Sequence, residues 1–107
     1  MPINFTVDQL KKKIDLRGVL SLTGTGINDL TEEDVVKLAK LNKMKRLEIG
    51  ENNLIFIPQA FCSKLTNLAE LDLHGNNLTF LPSNLGDMQN LTRLDVYDNN
   101  LSVIHCF

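Results

Sequence analysis

The chain has 107 residues, 43% of them hydrophobic, and a formal net charge of −2, which suits one domain with one modest core. No apolar run reaches the roughly 18–20 residues that a membrane span needs, and the N-terminus lacks the apolar core of a secretory signal. The charge is unevenly distributed, because residues 1–46 carry +3 and residues 47–107 carry −5.

The N-terminal segment 1–18 is predicted to be a cap. Thr6 and Gln9 have the spacing of a capping box, which places a short amphipathic helix directly after Thr6. We expect this helix to cover the apolar edge of the first strand. Its apolar side comprises Val7, Leu10 and Ile14, and its lysines are Lys11, Lys12 and Lys13. A solvated lysine face accounts for the pattern, and phosphate binding is the functional alternative.

Residues 19–43 are predicted to form a degenerate first repeat. A strand is expected near 20–22, with Thr25 and Ile27 in the turn that follows it. Thr31 begins a helix, because acidic residues fill the next three positions, where the helix dipole favours them. The side chains expected to face inward are Val35, Leu38, Ala39 and Leu41.

Three copies of one pattern follow, at steps of 24 and 23 residues. Each copy has apolar residues at positions one, four and six, Asn at nine and Leu at eleven. A period in this range indicates a solenoid, in which each unit buries its apolar face against its neighbours. The copies are MKRLEIGENNL (44–54), LAELDLHGNNL (68–78) and LTRLDVYDNNL (91–101).

The repeats divide the remainder of the single domain into 44–67, 68–90 and a truncated last unit, 91–107. Short strands are expected near 47–49, 71–73 and 94–96. Pro58 and Pro82 lie in the return segments, which favours short 3₁₀ or irregular turns there over long helices. In the last unit we expect an uncovered strand edge and uncovered apolar side chains at Val103, Ile104 and Phe107.

The pattern resembles the leucine-rich repeat family, in its intracellular, 23-residue, Ras-suppressor-like class. The resemblance implies an α/β solenoid with a curved parallel sheet of about four strands and a convex side of helix, 3₁₀ or irregular structure. It also implies that the asparagine at position nine turns inward and bonds backbone groups, a structural role. Those asparagines are Asn52, Asn76 and Asn99.

Residues that alternate with the buried leucines are expected to point from the concave sheet into solvent. Three carboxylates on adjacent strands, Glu48, Asp72 and Asp95, would then lie roughly 5 Å apart and repel by about 1–3 kcal/mol per neighbouring pair. A self-neutralised, solvated face and a binding surface for a basic or mixed-charge protein segment are the two interpretations. The predicted partner-binding residues are Arg46, Glu48, Glu70, Asp72, His74, Arg93, Asp95 and Tyr97.

Catalysis, a metal ion or a cofactor is not predicted. Asp72, His74 and Asp95 converge on an open face without a water-excluding cleft or a nucleophile. Cys62 and Cys106 lie in unlike parts of different repeats, which disfavours a disulfide and favours a reducing compartment. His105 and Cys106 are too few ligands for a zinc site.

The order of parts also resembles the repeat domain of a ribosome-associated, tail-anchored family of leucine-rich repeat proteins. That resemblance rests on the LKKKIDL lead-in, the degenerate LSLTGTGINDL unit and Phe61-Cys62 in the first return. It implies a cytoplasmic scaffold at the endoplasmic reticulum or nuclear envelope. One alternative is an adaptor in small GTPase or phosphatase signalling. Another is a ribosome- or RNA-contacting module using Lys11, Lys12, Lys13 and Arg17.

Overall fold

The structure is a computed structural model that describes residues 2–102. Four short strands alternate along the chain with three short helices and one 3₁₀ turn. In chain order they are α1 (Val7–Lys13), β1 (Val19–Ser21), α2 (Glu32–Ala39), β2 (Arg46–Glu48), α3 (Gln59–Lys64), β3 (Glu70–Asp72), the 3₁₀ turn (Leu85–Asp87) and β4 (Arg93–Asp95).

The strands form one open parallel sheet in the order β1-β2-β3-β4. Leu20, Leu47 and Leu71 are paired across it, and each is at most 1% exposed. The predicted α/β solenoid with four parallel strands is therefore confirmed. Each strand begins one residue earlier than predicted. Backbone bonds continue the pairing past the strand ends, as from Leu22 N–H to Glu48 O at 2.7 Å, so these boundaries are diffuse.

The convex side is more helical than predicted. Residues 59–64 form a true α-helix, because Phe61 and Cys62 provide a fully buried face. Pro58 precedes this helix at its N-cap, where the missing N–H costs no helical hydrogen bond. The equivalent segment of the next repeat forms only a short 3₁₀ turn around Gly86, as predicted. α2 contacts α3, and α3 contacts the 3₁₀ turn.

The N-terminal helix and α2 each begin with a complete capping box. In α1 the Thr6 hydroxyl accepts from the N–H of Gln9 and the Gln9 side chain accepts from the N–H of Thr6. Leu10 is fully buried, whereas Val7 and Ile14 are half-buried against the core.

The inward face of α2 differs from the prediction in one residue. Ala39 is exposed, and the buried polar residue is Asp34, which is 1% exposed. One Asp34 oxygen accepts the N–H of Thr31 and the other accepts the N–H of Ile3, at 2.9 and 3.3 Å. Asp34 thus caps its own helix, as its position three residues after Thr31 indicates, and also fastens the N-terminal segment, which its sequence position does not indicate.

The predictions on Val103, Ile104, His105, Cys106 and Phe107 lie outside the described residues. Among residues 2–102, no helix has the length and apolar character required to cross a bilayer.

Candidate functional site

Two ladders of side chains cross the sheet on the face opposite the helices. Because parallel strands pair in register, each repeat contributes one member to each ladder. The first ladder is Val19, Arg46, Glu70 and Arg93, and the second is Ser21, Glu48, Asp72 and Asp95. The structure therefore brings the predicted charged residues together on one face.

Arg46 is the centre of an ion-pair network. Its Nε lies 2.9 Å from Oε2 of Glu48, and its Nη1 lies 3.0 Å from Oε1 of Glu70. Its Nη2 lies 3.7 Å from Oδ2 of Asp72. The hydrogen bond to Glu48 is the main cause that raises the pKa of Arg46. One cation thus pairs with three carboxylates, which relieves part of their mutual repulsion and leaves this part of the face with a net negative charge.

Asp72 is buried, at 7% exposure, and not presented to solvent as expected from its place in the ladder. Arg46 covers one side of its carboxylate. On the other side Oδ1 accepts the N–H of His74 at 3.0 Å and lies 2.7 Å from Nδ1 of the same residue. Asp72 consequently supports its neighbours and has little surface left for a partner.

His74 lies between acidic groups. Its Nε2 is 3.3 Å from Oε1 of Glu51, across the ring from Asp72. The hydrogen bond to Asp72, with smaller contributions from the charges of Glu51 and Asp95, raises the pKa of His74 from its ordinary value. The surroundings of the ring therefore favour its protonated form over the neutral one.

At the β4 end of the face, the charged side chains are less engaged with one another. Tyr97 is 78% exposed, and its N–H donates to Oδ1 of Asp95 at 2.9 Å. Arg93 is exposed and forms no ion pair with any residue between 2 and 102. Of the two arginines predicted to flank a partner, Arg46 is engaged within the sheet and Arg93 is available.

An acidic residue with positive φ occupies the rim after two of the four strands. Gly24 and Gly75 hold this position in two repeats, with φ of 67° and 68°. Glu51 and Asp98 hold it in the other two, with φ of 52° and 58°. A side chain in this left-handed region is strained, so glycine is the residue that the backbone alone would favour. The rim thus presents carboxylates beside His74 and Tyr97 at a conformational cost.

The asparagines Asn52, Asn76 and Asn99 turn inward and bond only backbone groups. The Asn76 amide donates to the carbonyls of Ile49, Leu73 and His74, and its Oδ1 accepts the N–H of Leu54. Asn52 and Asn99 repeat this arrangement one repeat before and after it. In the degenerate first repeat the Thr25 hydroxyl makes the equivalent bond to Leu22 O at 2.8 Å. These side chains hold successive turns together.

Asp72, His74 and Asp95 offer ligand atoms within 4.8 Å of one another. The groups already have partners, however, since Asp72 is bound to His74 on one oxygen and faces Arg46 with the other. A cation at this point would be repelled by Arg46. Cys62 is fully buried, and burial raises the pKa of its thiol to about 11, which suits a packing role over a reactive one.

A basic cleft, which sequence reasoning missed, lies where β1 and β2 begin. Its volume is about 960 Å³. The loop before β1 and the loop before β2 form its walls, so residues far apart in the chain meet there. The lining cations are Lys11, Arg17, Lys40, Lys43 and Lys45. Only the first two belong to the basic N-terminal group noted in the sequence. The sequence pattern that could have indicated the cleft is the series of lysines, two or three residues apart, from Lys37 to Lys45.

These features define an open repeat solenoid, a class of protein-interaction module that presents one face of its sheet. The leucine rich repeat family matches residues 42–101, and the chain belongs to that family. A solved leucine-rich repeat protein of Leptospira interrogans, LIC12759, is similar over 96% of this chain, with 27% identity and a TM-score of 0.57. The chain spans 31% of the length of that protein. No curated protein matches the chain in sequence.

Proposed function

We propose that this domain is a non-enzymatic protein-interaction module that binds a partner on the concave sheet, chiefly at its β3–β4 end. The observation that carries the proposal is Tyr97, a large aromatic side chain that is 78% exposed beside Asp95 and Asp98. Exposed aromatic residues with polar neighbours are the usual anchors of protein interfaces.

The charge of this end favours a partner segment that contains basic residues. Asp95 and Asp98 flank Tyr97, and Glu51 adds a third carboxylate on the same rim. Arg93 lies at the other end of the same strand and can orient the segment through an acidic residue of its own. Glu48 and Glu70 extend the surface but are already engaged by Arg46, so we assign them a smaller contribution.

Asp72 is not a suitable position for a charge reversal that tests this surface. Reversing the charge of Asp72 would disrupt the contacts with Arg46 and His74, and loss of binding could then reflect loss of structure. The better variant combines Tyr97→Ser with Asp95→Lys. The matched control combines Phe80→Ser with Asp87→Lys, an exposed aromatic and an exposed acid away from the concave sheet.

Both variants and the unchanged protein are used to capture partners from cell lysate, with quantification by mass spectrometry. We expect a set of proteins that the unchanged protein and the control retain and the concave variant loses at least tenfold. Equal retention by the concave variant, or equal loss by the control, contradicts the proposal. Circular dichroism and thermal unfolding verify that both variants keep the fold.

At a finer level, we propose a cytoplasmic location, at the endoplasmic reticulum or nuclear envelope, with ribosomes among the contacts. Support comes from the order of parts in the sequence. A ribosome- or RNA-contacting role through the N-terminal region is the second candidate, favoured by Lys11, Lys12, Lys13 and Arg17 all being exposed. An adaptor role in small GTPase or phosphatase signalling would use the same concave face. It differs from the main proposal only in the identity of the partner that the capture experiment recovers.

Sedimentation with purified ribosomes distinguishes contact through the concave face from contact through the basic N-terminal region. Changing Lys11, Lys12 and Lys13 to Glu is expected to abolish cosedimentation if the basic region makes the contact, with a steep salt dependence. The Tyr97→Ser and Asp95→Lys variant is expected to abolish cosedimentation instead if the concave face makes the contact. Cosedimentation that neither variant changes contradicts both assignments.

A further inference from the structure

The basic cleft at the start of β1 and β2 is formed by backbone geometry and not by chance proximity of long side chains. The carbonyl of Gly18 accepts the N–H groups of both Lys45 and Arg46, at 2.8 and 3.1 Å. Gly18 has φ of +80°, and a Cβ on it would lie 2.8 Å from the carbonyl oxygen of Lys43. Only glycine therefore lets the two walls approach this closely.

The lone acidic residue among the lining residues is occupied within its own loop. One oxygen of Asp15 accepts the N–H groups of Arg17 and Val19, at 2.8 and 3.0 Å. The hydrogen bond from Val19 is the main cause that lowers the pKa of Asp15. The other oxygen lies 3.4 Å from Nη2 of Arg17, in an exposed ion pair. Asp15 thus shapes the wall and neutralises little of the cleft.

The remaining charge is uncompensated. Lys11, Lys40, Lys43 and Lys45 form no ion pair within residues 2–102, although all are exposed around one cleft. Like charges gathered around a concave surface repel one another and attract a polyanionic ligand.

An apolar side chain stands among these cations. Leu16 is fully exposed at the tip of the turn, and Ile14 beside it is only half-buried. Folding buries none of the apolar surface of Leu16, whereas a bound chain that covers it would bury that surface. The cleft therefore offers cationic groups and an apolar contact together.

We propose that this cleft docks an acidic protein segment, with carboxylates paired to Lys40, Lys43 and Lys45 and an apolar side chain against Leu16. A protein segment is favoured over nucleic acid because the lining residues include no aromatic ring on which bases stack, and because Leu16 has no counterpart on a phosphate backbone. The domain then carries two docking surfaces of opposite charge. The basic one lies at the beginning of β1 and β2, and the acidic one follows the end of β4.

Heteronuclear NMR of the full chain tests this directly. The probe is a synthetic twelve-residue peptide of Asp, Glu and Leu, compared with one in which Asn and Gln replace the acids and one in which Ser replaces Leu. We expect the acidic peptide to shift the amide signals of Gly18, Lys43 and Lys45 with saturable binding. The amide peptide is expected not to bind, and the Ser peptide to bind several-fold more weakly.

Variants locate the site. Lys43→Glu with Lys45→Glu is expected to weaken binding at least tenfold, and Leu16→Ser to weaken it several-fold without changing its salt dependence. The control, Lys12→Glu with Lys64→Glu, makes the same change in net charge on exposed lysines outside the cleft and is expected to have little effect. Leu16→Ser alters only a fully exposed side chain, so it remains informative even if the lysine variant loses its fold.

Three results would overturn the proposal. The first is equal weakening by the control and the cleft variant, which would show nonspecific attraction. The second is a Leu16→Ser protein that binds both Leu and Ser peptides as the unchanged protein does. The third is tighter binding of a twelve-residue oligouridylate than of the acidic peptide, lost in the cleft variant, which would assign the cleft to nucleic acid.

Discussion

The imidazole ring of His74 occupies the space that a side chain on Gly50, one repeat earlier in the chain, would take. A Cβ on Gly50 would overlap Cε1 and Nδ1 of the ring. The absence of a side chain at residue 50 therefore leaves room for the ring of His74, with Nδ1 at Asp72 and Nε2 at Glu51. A glycine in one repeat thus leaves the space in which the histidine of the next repeat contacts both acids.

Replacing Gly50 with Ala should displace the ring and break its bond to Asp72. Because that bond is the main cause of the raised pKa of His74, we expect the pKa to fall toward the usual value of about 6.5. An NMR titration of the His74 ring protons measures it, with His105→Gln in the background so that only one histidine titrates. Gly86→Ala is the control, because a Cβ there meets nothing within 4 Å. An unchanged pKa in Gly50→Ala would refute the assignment.

The same histidine predicts a pH dependence of stability. Its pKa is raised in the folded state, so the charged form stabilises the fold. That contribution is fully present below about pH 6.5 and is lost as the pH rises through the folded-state pKa. We expect it to be less than about 1 kcal/mol, because the ring is partly solvated.

The measurement is urea unfolding between pH 5.5 and 8.5, comparing the unchanged protein with His74→Gln, both in the His105→Gln background. The difference in unfolding free energy between the two proteins should shrink as the pH increases. A constant difference across this range, or one that grows with pH, contradicts the prediction.

The repeat pattern was sufficient to predict the sheet, its register and the inward asparagines, because these depend on residue type at a fixed period. The pattern could not predict which members of a ladder are free. Arg46 and Arg93 are equivalent in the repeat, and each has an acid two residues later on its own strand. Arg46 differs because the next strand, β3, places Glu70 and Asp72 beside it. Asp72 became buried because an arginine and a histidine both reach it from the sides.

The basic cleft was missed for a related reason. Nothing in the sequence around Lys43 and Lys45 distinguishes them from other surface lysines, since single-sequence patterns carry no information on contacts between loops. Gly18 brings these lysines against Arg17 through a backbone hydrogen bond and a positive φ. Neither the loop pairing nor the exposed Leu16 follows from hydrophobic periodicity.

Asn76→Ala should destabilise the fold by about 1–3 kcal/mol. The substitution leaves the N–H of Leu54 and the carbonyls of Ile49 and Leu73 without their buried partner. Urea unfolding measures the loss, and the neighbouring exposed Asn77→Ala is expected to change it by less than about 0.5 kcal/mol. Similar effects of the two substitutions would show that Asn76 has no special structural role.

Glu51→Gly should stabilise the fold, even though it removes a contact with His74. Glu51 has a φ of 52°, a conformation that costs an ordinary residue about 1–2 kcal/mol and glycine almost nothing. Allowing for the extra freedom of glycine in the unfolded chain, we expect a gain of about 0.5–1 kcal/mol. Asn53→Gly, at a nearby exposed residue without positive φ, is expected to destabilise. If both substitutions destabilise, the acidic rim carries no conformational cost.

Arg46→Met should destabilise the fold more than Arg93→Met, although the two arginines occupy the same ladder. Arg46 compensates Glu48, Glu70 and Asp72, and its removal leaves three neighbouring carboxylates that repel one another. We expect a loss of about 1–2 kcal/mol at low salt for Arg46→Met and less than about 0.5 kcal/mol for Arg93→Met. Added salt should reduce the loss caused by Arg46→Met, because it screens the remaining repulsion.

Adding Glu48→Gln should recover part of the loss in Arg46→Met, because one of the mutually repelling carboxylates is then gone. Equal losses for the two arginines, or no recovery with Glu48→Gln, would mean that the network contributes no net stability and that its arrangement serves only to set the charge of the face.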